Sequence, residues 1–255
     1  MPAVCDDFQS ELKLRETIMR IELINLDSST DRLSRFREVN PHISNFRRFS
    51  AINGSTLDRQ KLAADGLISE DLSYSDGALG CAMSHIALWS DAVKSGEAIT
   101  IVEDDAIIGR NFLDHLSSCL ARDDNWDIMV WGYHTHFFLW IDFIPGMIGG
   151  EVRWEGVDYG RVLKSFAEEK YNLALFKLLN CFGTPCYTIS PRGARSLLDH
   201  CLPLKTCLVP LERFRIVNQN EGIDSLMNGW YPAAKAYVSV PPIVLPDYNL
   251  KSTIR

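Results

Sequence analysis

The chain has 255 residues and a mass of 28.8 kDa, and 46% of its residues are hydrophobic, enough to build one large α/β domain or two small ones. The formal charge of −7 and the pI of about 5.4 disfavour nonspecific binding to nucleic acid, and we expect no nucleic-acid partner. One segment is locally basic, which favours either contact with anionic phosphates or a solvated helix face. Its arginines are Arg32, Arg35, Arg37, Arg47 and Arg48.

The cysteines are scattered and never form a Cys-x-x-Cys pair, so neither a zinc site nor a disulfide framework is indicated and we expect reduced, mostly buried thiols. They are Cys5, Cys81, Cys119, Cys181, Cys186, Cys201 and Cys207. The first twenty residues carry too many charges for a signal peptide, and no apolar run is long enough to span a bilayer. These features favour a cytoplasmic protein, with contact at the inner face of the membrane as an open alternative.

Taken in chain order, short apolar runs alternate with helical patterns. Residues 21–26 predict a first strand, residues 28–39 a helix with Ser and Thr caps, and residues 46–52 a second strand that ends at an Asn-Gly turn. Residues 79–96 have helical spacing and end at a glycine suited to a C-cap. The apolar run 98–103 then predicts another strand.

The same alternation continues further along the chain. Residues 111–121 predict a helix and residues 126–132 a strand; residues 184–190 predict a strand, followed by a helix over 191–201 with proline at its first position. Strands that alternate with helices indicate an α/β fold, with a mostly parallel sheet flanked by helices.

The chain shows no internal repeat or low-complexity linker, so we expect a single domain over residues 21–255 after an N-terminal extension, residues 1–20. Residues 137–180 are predicted to be an irregular or helical insert. Within it, residues 162–179 predict a long helix. The aromatic stretch 137–150 is interpreted as core or lid packing, or alternatively as a surface facing an acceptor or a membrane.

Three adjacent carboxylates, Glu103, Asp104 and Asp105, follow the strand 98–103. Adjacent carboxylates repel, and desolvating one is costly unless it is paired or bound to a cation. In parallel α/β sheets ligands bind beyond the carboxyl ends of the strands, where Asp27 also lies, so we expect one shared crevice. Oxygen ligands suit Mg²⁺ or Mn²⁺ together with a diphosphate, whereas solvated acids at a helix N-terminus are the alternative.

Several motifs carry a resemblance to one family. Their residues are Asn25, Leu26, Asp27, Asp31, Arg32, Ala51, Ile52, Asn53, Gly54, Gly77, Gly80, Cys81, Ser84, His85, Trp89, Glu103, Asp104 and Asp105. Together they resemble glycosyltransferase family 25, the lipooligosaccharide and collagen sugar transferases, with weaker similarity up to residue 255. Asn53 departs from the family's usual Asp, and Pro185 with Cys186 departs from its common His-Ala.

The resemblance implies a GT-A-type, Rossmann-like fold and a transferase that inverts the anomeric carbon. It implies a nucleotide-sugar donor such as a UDP-hexose (galactose or glucose), a glycan acceptor such as lipooligosaccharide, and Mn²⁺ or Mg²⁺. Asp105 is the first choice as direct metal ligand. Glu103 would hold the metal or the ribose, and Asp104 would support either role.

The nucleotide pocket is expected to contain Asn25, Asp27 and Arg32, for which loop capping is the alternative reading. Ser84 and His85 follow a glycine-rich helix start that can expose backbone N–H groups to phosphate; packing or capping is the alternative.

An inverting displacement needs a general base, usually a carboxylate. Asp224 is the candidate, with Asp247 and Glu212 as competitors and a helix cap as the alternative role of Asp224.

Two rival functions are also compatible with the acidic triplet: a metal-dependent phosphohydrolase of nucleotide diphosphates and a non-catalytic nucleotide-binding module.

Overall fold

The computed structural model describes residues 20–122, 125–155, 158, 160–161, 165–211 and 216–250. The strands are Arg20–Asn25 (β1), Arg47–Ser50 (β2), Ile99–Glu103 (β3), Ala106–Ile108 (β4), Ile128–Gly132 (β5), Leu139–Ile144 (β6), Ile148–Val152 (β7), Ala174–Asn180 (β8), Cys186–Ile189 (β9), Leu208–Leu211 (β10), Ile216–Gln219 (β11), Ala236–Val240 (β12) and Val244–Pro246 (β13). The α-helices are Thr30–Val39 (α1), Arg59–Ala64 (α2), Asp76–Ser95 (α3), Phe112–Arg122 (α4), Pro191–Cys201 (α5) and Ile223–Trp230 (α6). Short 3₁₀ helices cover Gly54–Thr56 and Phe166–Glu168.

Eleven of the described strands form one sheet with the main order β2-β1-β3-β9-β5-β12-β8-β6-β7, while β13 pairs with β4 and β5. Strand β1 pairs in parallel with β2 and β3, and β5 pairs in parallel with β12. Strands β9, β8 and β7 run opposite to the other strands of this order, because their pairings are antiparallel. The α/β fold with a mostly parallel sheet is therefore confirmed. Strands β10 and β11 form a separate antiparallel pair.

Helices cover both faces of the sheet, as the alternating pattern predicts. On one face α3 packs against α5 and α5 against α6, and this core includes Leu79, Trp89 and Leu197. On the other face the core includes Phe36 of α1 and Phe112 of α4. Full burial of a large apolar side chain contributes about 1.5–3 kcal/mol, so the two cores hold the strand ends in fixed positions.

The glycine C-cap predicted for α3 is confirmed, whereas the side-chain capping predicted for α1 is not. Ser75 accepts a hydrogen bond from the Ala78 N–H at the start of α3, and Gly96 ends the helix with φ of 71°, as a C-cap glycine does. Ser29 occupies the N-cap position of α1 but its side chain makes no capping hydrogen bond, so the prediction of side-chain caps there is wrong at that residue. The Ser29 carbonyl instead accepts from the Asn25 side chain, which fixes the loop after β1.

The long helix predicted over residues 162–179 is wrong, because β8 occupies Ala174–Asn180; residues 162–164 lie outside the described part of the chain. Strand β8 lies between β12 and β6, with Phe176 opposite Val238 and Leu178 opposite Ile141. The helix-forming Ala, Leu and Lys residues adopt a strand here since cross-strand packing outweighs local propensity. The predicted irregular or helical insert therefore contains the three strands β6, β7 and β8, of which β6 and β7 form an antiparallel hairpin.

Several further predictions concern the chain as a whole. The predicted N-terminal extension lies outside the described residues except for Arg20, which begins β1, and the single-domain organisation stays a prediction. The six described cysteines are free thiols, as expected, and Cys5 lies outside the described residues. No helix in the described residues is long and apolar enough to cross a membrane.

Candidate active site

A cavity of about 610 Å³ opens at one edge of the sheet. Its walls come from the carboxyl ends of β1, β3 and β13, from the first half of α3, and from the segment that follows β5. The lining residues include Asn25, which ends β1, and the acidic triplet, which begins at the last residue of β3. The ends of β1 and β3 therefore share one crevice, as predicted, because neighbouring parallel strands deliver their carboxyl ends to one edge. Asp27, the carboxylate expected in it, is not among the described residues that line it.

Asp104 is fully engaged by its neighbours. Its Oδ2 atom accepts from Asn25 Nδ2 at 2.7 Å, and its Oδ1 atom accepts from Arg32 Nε at 2.8 Å. The side chains of Arg32 and Asp104 are only 11% and 10% exposed, so this ion pair is shielded from solvent. Asp104 thereby joins the end of β1 and α1 to the end of β3, and both of its carboxylate oxygens already have partners.

Asp105 is in a different situation although it is the next residue. Its Oδ1 atom is buried and has no hydrogen-bond partner, while Oδ2 lies 3.4 Å from Arg32. Burial, together with the Glu103 carboxylate, raises the pKa of Asp105 to about 7, against the opposing effect of Arg32. An unpartnered buried carboxylate oxygen costs free energy unless it binds a proton or a cation. Asp105 therefore has an unpaired oxygen that suits a proton or, once the carboxyl is deprotonated, a cation.

Glu103 is oriented by two neighbours on one oxygen. Its Oε1 atom accepts from Thr184 Oγ1 at 2.5 Å and lies 3.5 Å from His85 Nε2, slightly beyond hydrogen-bond range. Burial alone would raise the pKa of Glu103, but His85 and Thr184 outweigh it, and the pKa lies below its ordinary value. Glu103 is therefore held as a carboxylate.

Two different metal-binding arrangements are available in the described residues. Carboxylate oxygens of Asp105 and Glu103 suit a hard cation such as Mg²⁺ or Mn²⁺, and the orphaned Oδ1 of Asp105 fits that assignment. A second group, Cys81, His85 and Glu103, has its candidate ligand atoms within 4.8 Å of one another. Its thiol and imidazole suit a softer cation such as Zn²⁺.

The residues predicted to hold the nucleotide occupy unequal positions. Asn25 and Arg32 line the cavity, and both also bind Asp104. Asp27 is not among the described residues that line the cavity; its side chain is 73% exposed and pairs with Arg48. Arg48 also donates to the Asn25 side-chain oxygen, so Asp27 is joined to the cavity wall only through other residues.

The arginine-rich segment forms ion pairs with the chain's own carboxylates. Arg32 pairs with Asp104 and Asp105, and Arg48 pairs with Asp27. Arg35 contacts Asp247 and Glu38, and Arg47 contacts Glu22. These arginines therefore neutralise carboxylates of the chain, and Arg32 is the one of the five that lines the cavity.

Ser84 and His85 lie in the cavity wall but both side chains are completely buried. Ser84 Oγ accepts from the Ile52 N–H at 2.8 Å and donates to the Gly80 carbonyl at 2.7 Å, which ties α3 to the loop after β2. That approach requires glycine, since a Cβ at Gly80 would lie 2.4 Å from the Ile52 carbonyl oxygen. The two residues follow the second turn of α3, so their N–H groups belong to the helix rather than to its open start.

The three candidates for a general base are separated by the structure. Asp224 lies in the first turn of α6, where its Oδ2 accepts from the Gly183 N–H at 3.0 Å, and it is not among the described residues lining the cavity. Asp247 does line the cavity, although it is 4% exposed and lies 3.4 Å from Arg35. Glu212 lies outside the described residues.

Sequence reasoning missed the histidines that follow β5. His134 and His136 line the cavity together with Tyr248, whose hydroxyl lies 2.9 Å from His134 Nδ1. Burial lowers the pKa of His134, although Glu103 and Asp224 act in the opposite direction. The signal was available, because these histidines come just after a predicted strand and therefore belong to the same sheet edge as the triplet.

Comparison with known families gives one match that covers more than half of the chain. The family model described as glycosyltransferase family 25, LPS biosynthesis protein, matches residues 19–213. No curated protein matches at a significant level.

Two of the matching solved structures give low scores. A crystal structure of a protein from STIV has a TM-score of 0.37 and 10% identity, covering 86% of this chain and 81% of the other. The mannose-1-phosphate geranyltransferase from Thermus thermophilus has a TM-score of 0.38 and 12% identity, covering 89% of this chain and 73% of the other. We base no functional argument on similarities of this size.

Proposed function

We propose that this chain, which belongs to glycosyltransferase family 25, moves a hexose from a nucleotide-sugar to a hydroxyl group of a glycan acceptor. The donor is a UDP-sugar such as UDP-galactose or UDP-glucose, the acceptor is a lipooligosaccharide-type glycan, and the anomeric carbon is inverted. The sheet is assigned to the GT-A type. We place the reaction in the cytoplasm, at the inner face of the membrane.

One observation carries this proposal: Asp104 and Asp105 are adjacent in the chain, yet both carboxylate oxygens of Asp104 accept hydrogen bonds and Oδ1 of Asp105 accepts none. A purely structural triplet would have every buried carboxylate oxygen paired, since an unpaired one destabilises the fold. Asp105 lines a cavity whose size suits a small-molecule ligand. We therefore assign the cavity to the nucleotide diphosphate of the donor.

Asp105 and Glu103 would hold Mn²⁺ or Mg²⁺ in this cavity, with Asp104 keeping the end of β3 in place through Arg32. When bound, the cation stabilises the negative charge that develops on the departing diphosphate. Arg32 adds a fixed positive charge beside the same oxygens, and Asn25 holds the β1 loop against them. Ser84 shapes the wall by fastening α3 to the loop after β2.

On the acceptor side we propose Asp224 as the general base that takes the proton of the attacking hydroxyl. Its carboxylate is fixed by the Gly183 N–H and acts electrostatically on His134 in the cavity wall. Asp247 is the competing candidate since it lines the cavity itself. Proton removal from the acceptor leaves donor binding untouched, so the two steps are separable by experiment.

The deciding experiment measures UDP release from UDP-galactose and UDP-glucose with Mn²⁺, with and without a lipooligosaccharide acceptor, and again with EDTA. A transferase releases UDP mainly when the acceptor is present. Rapid release of nucleotide products without an acceptor would instead identify a phosphohydrolase, and binding without turnover would identify a binding module. Glu97→Gln is a suitable control variant, because Glu97 is exposed and lies before β3 at the opposite edge of the sheet.

A further inference from the structure

A chain of buried polar groups runs from α3 through β9 back to Glu103. Trp89 Nε1 donates to the Tyr187 hydroxyl at 2.8 Å, and the same hydroxyl lies 2.7 Å from His85 Nδ1. The other ring nitrogen of His85, Nε2, faces Glu103 Oε1 at 3.5 Å. Trp89, Tyr187 and His85 are at most 1% exposed, so water cannot replace any of these contacts.

Counting protons along this chain determines the tautomer of His85. An indole N–H only donates, so the Tyr187 oxygen accepts from Trp89 and its single proton is left for His85. His85 Nδ1 must then accept, and in the neutral ring the proton lies on Nε2. The opposite tautomer would leave the Tyr187 proton without an acceptor, because the described residues give that hydroxyl no other partner.

The Nε2–H of His85 is buried, has no hydrogen-bond partner in the described residues, and faces Glu103. Thr184 already donates to the same Oε1 atom from the other side. Glu103 Oε1 thus lies between two donors, while Oε2 has no partner among the described residues and is not buried from solvent. A contact of 3.5 Å in an active site can shorten when a ligand binds.

We propose that Trp89, Tyr187 and His85 are positioning residues: they fix His85 with its proton on Nε2, and His85 aims the free Oε2 of Glu103 at the cation–diphosphate group. This inference rests on the proposed function, since it concerns how Glu103 meets that ligand. Mutation of a residue that positions a metal-binding side chain typically lowers metal affinity by about 10- to 100-fold.

The alternative use of the same atoms is a soft-metal site formed by Cys81, His85 and Glu103. That site needs a lone pair on His85 Nε2 and a thiolate on Cys81. Burial raises the pKa of Cys81 well above its ordinary value, and a lone pair on Nε2 would orphan the Tyr187 proton. The two arrangements therefore require opposite tautomers of His85, which makes them distinguishable.

The first test is a nitrogen-15 NMR measurement of histidine tautomers in the full chain, with the His85 signals identified by their loss in His85→Gln. We expect Nδ1 unprotonated and Nε2 protonated, with no change when Zn²⁺ is added. Tyr187→Phe should mix the two tautomers. Tyr133→Phe, which removes another buried tyrosine hydroxyl with a single hydrogen bond to the Ser239 carbonyl, should leave His85 unchanged. An unprotonated Nε2 in the wild type, or one that shifts with Zn²⁺, would overturn the proposal.

The second test measures Mn²⁺–UDP affinity by calorimetry. His85→Leu should weaken it about 10- to 100-fold. His85→Gln places an amide N–H near the Nε2 position and should stay within about threefold of wild type. Equal losses in both variants would contradict positioning through the N–H. If the wild type binds no Mn²⁺–UDP, the proposed function fails, and the NMR result alone then decides whether the hydrogen-bonded chain exists.

Discussion

Two regions of the molecule differ in which side chains they bury and which they expose. The triplet region, residues 20–108, brings charged side chains into its interior and pairs them, as in the contacts of Arg32 with Asp104. The hairpin region, residues 139–180, exposes large apolar side chains at the turn between β6 and β7, where Met147 is 80% and Ile148 54% exposed. Buried charge is costly and exposed apolar surface is unfavourable. Each region therefore departs from the usual distribution of apolar residues inside and charged residues outside: the triplet region buries charge, and the hairpin region exposes apolar surface.

The comparison separates a donor side from an acceptor side. Every carboxylate of the triplet region that we assign to the donor is held by residues of β1, α1, α3 or the segment between β8 and β9. The candidate base Asp224 is held by Gly183, which is next to Thr184 in that same segment, so the two sides meet there. If this division is right, changes at the triplet affect donor binding, and changes at Asp224 affect turnover alone.

The largest effect is expected at Asp105. Asp105→Asn keeps the size of the side chain but removes the charge that binds the cation, so Mn²⁺-dependent UDP release should fall by at least about 10²-fold. Mn²⁺–UDP affinity, measured by calorimetry, should fall as well. Glu97→Gln should match the wild type.

The same Asp105 variant should be more stable than the wild type without metal. Burial raises the pKa of Asp105, so its ionised form destabilises the fold, and removing the charge should raise the free energy of unfolding measured by urea at pH 8 in EDTA. Wild-type affinity for Mn²⁺–UDP in Asp105→Asn would show that the cation binds elsewhere, for example at Cys81 and His85.

The second prediction concerns the acceptor side. Asp224→Asn should lower turnover by about 10²-fold or more while Mn²⁺–UDP affinity is unchanged, because only the attacking hydroxyl depends on the base. Asp247→Asn is the matched variant at the competing position. If Asp224→Asn transfers sugar within about threefold of the wild type and Asp247→Asn does not, the base belongs to Asp247.

The two regions also differ in how much their sequences predict. In the triplet region α3 has clear helical periodicity and a C-cap glycine, Gly96, and the strands β1 and β3 are short apolar runs, so the element types follow. The end of α3 follows as well, but its start at Asp76 lies before the predicted start at residue 79. In the hairpin region the run that contains β8 has helix-forming residues and no end signals. Its conformation depends on pairing with β12 and β6, which are distant in sequence.

The candidate site shows the same limit. The strand-end rule predicted that the ends of β1 and β3 would share one crevice, and they do, but through Asn25 and not through the carboxylate of Asp27, which does not line the cavity in the described residues. It did not predict that Arg32 and Asn25 donate hydrogen bonds to Asp104, because these contacts depend on how α1 and β1 pack against the end of β3. The contribution of His134 follows from the same rule, but only after β5 is known to lie beside β9 and near β3.

The third prediction tests the nucleotide residues. Arg32→Lys keeps one positive charge but loses the planar guanidinium that bridges Asp104 and Asp105, so the free energy of unfolding should fall by about 1–3 kcal/mol. UDP affinity should weaken together with it. Asp27→Asn should weaken UDP affinity less and leave stability nearly unchanged, because Asp27 is mostly exposed. A larger loss of UDP affinity in Asp27→Asn than in Arg32→Lys would reverse this order and place the nucleotide on the Arg48 side of the loop.

The smallest effect is expected in the hairpin region. Met147→Ser and Ile144→Ser replace side chains that are 80% and 46% exposed, so each should change the free energy of unfolding by no more than about 0.5 kcal/mol. Transfer to a soluble oligosaccharide acceptor should equal that of the wild type, since neither residue is among those lining the cavity in the described part of the chain. Leu139→Ser in the same strand is the contrasting variant, because Leu139 is fully buried and its loss should cost several times more. A stability loss at Met147 as large as at Leu139 would mean that the turn is packed in solution, and the contrast between the two regions would then disappear.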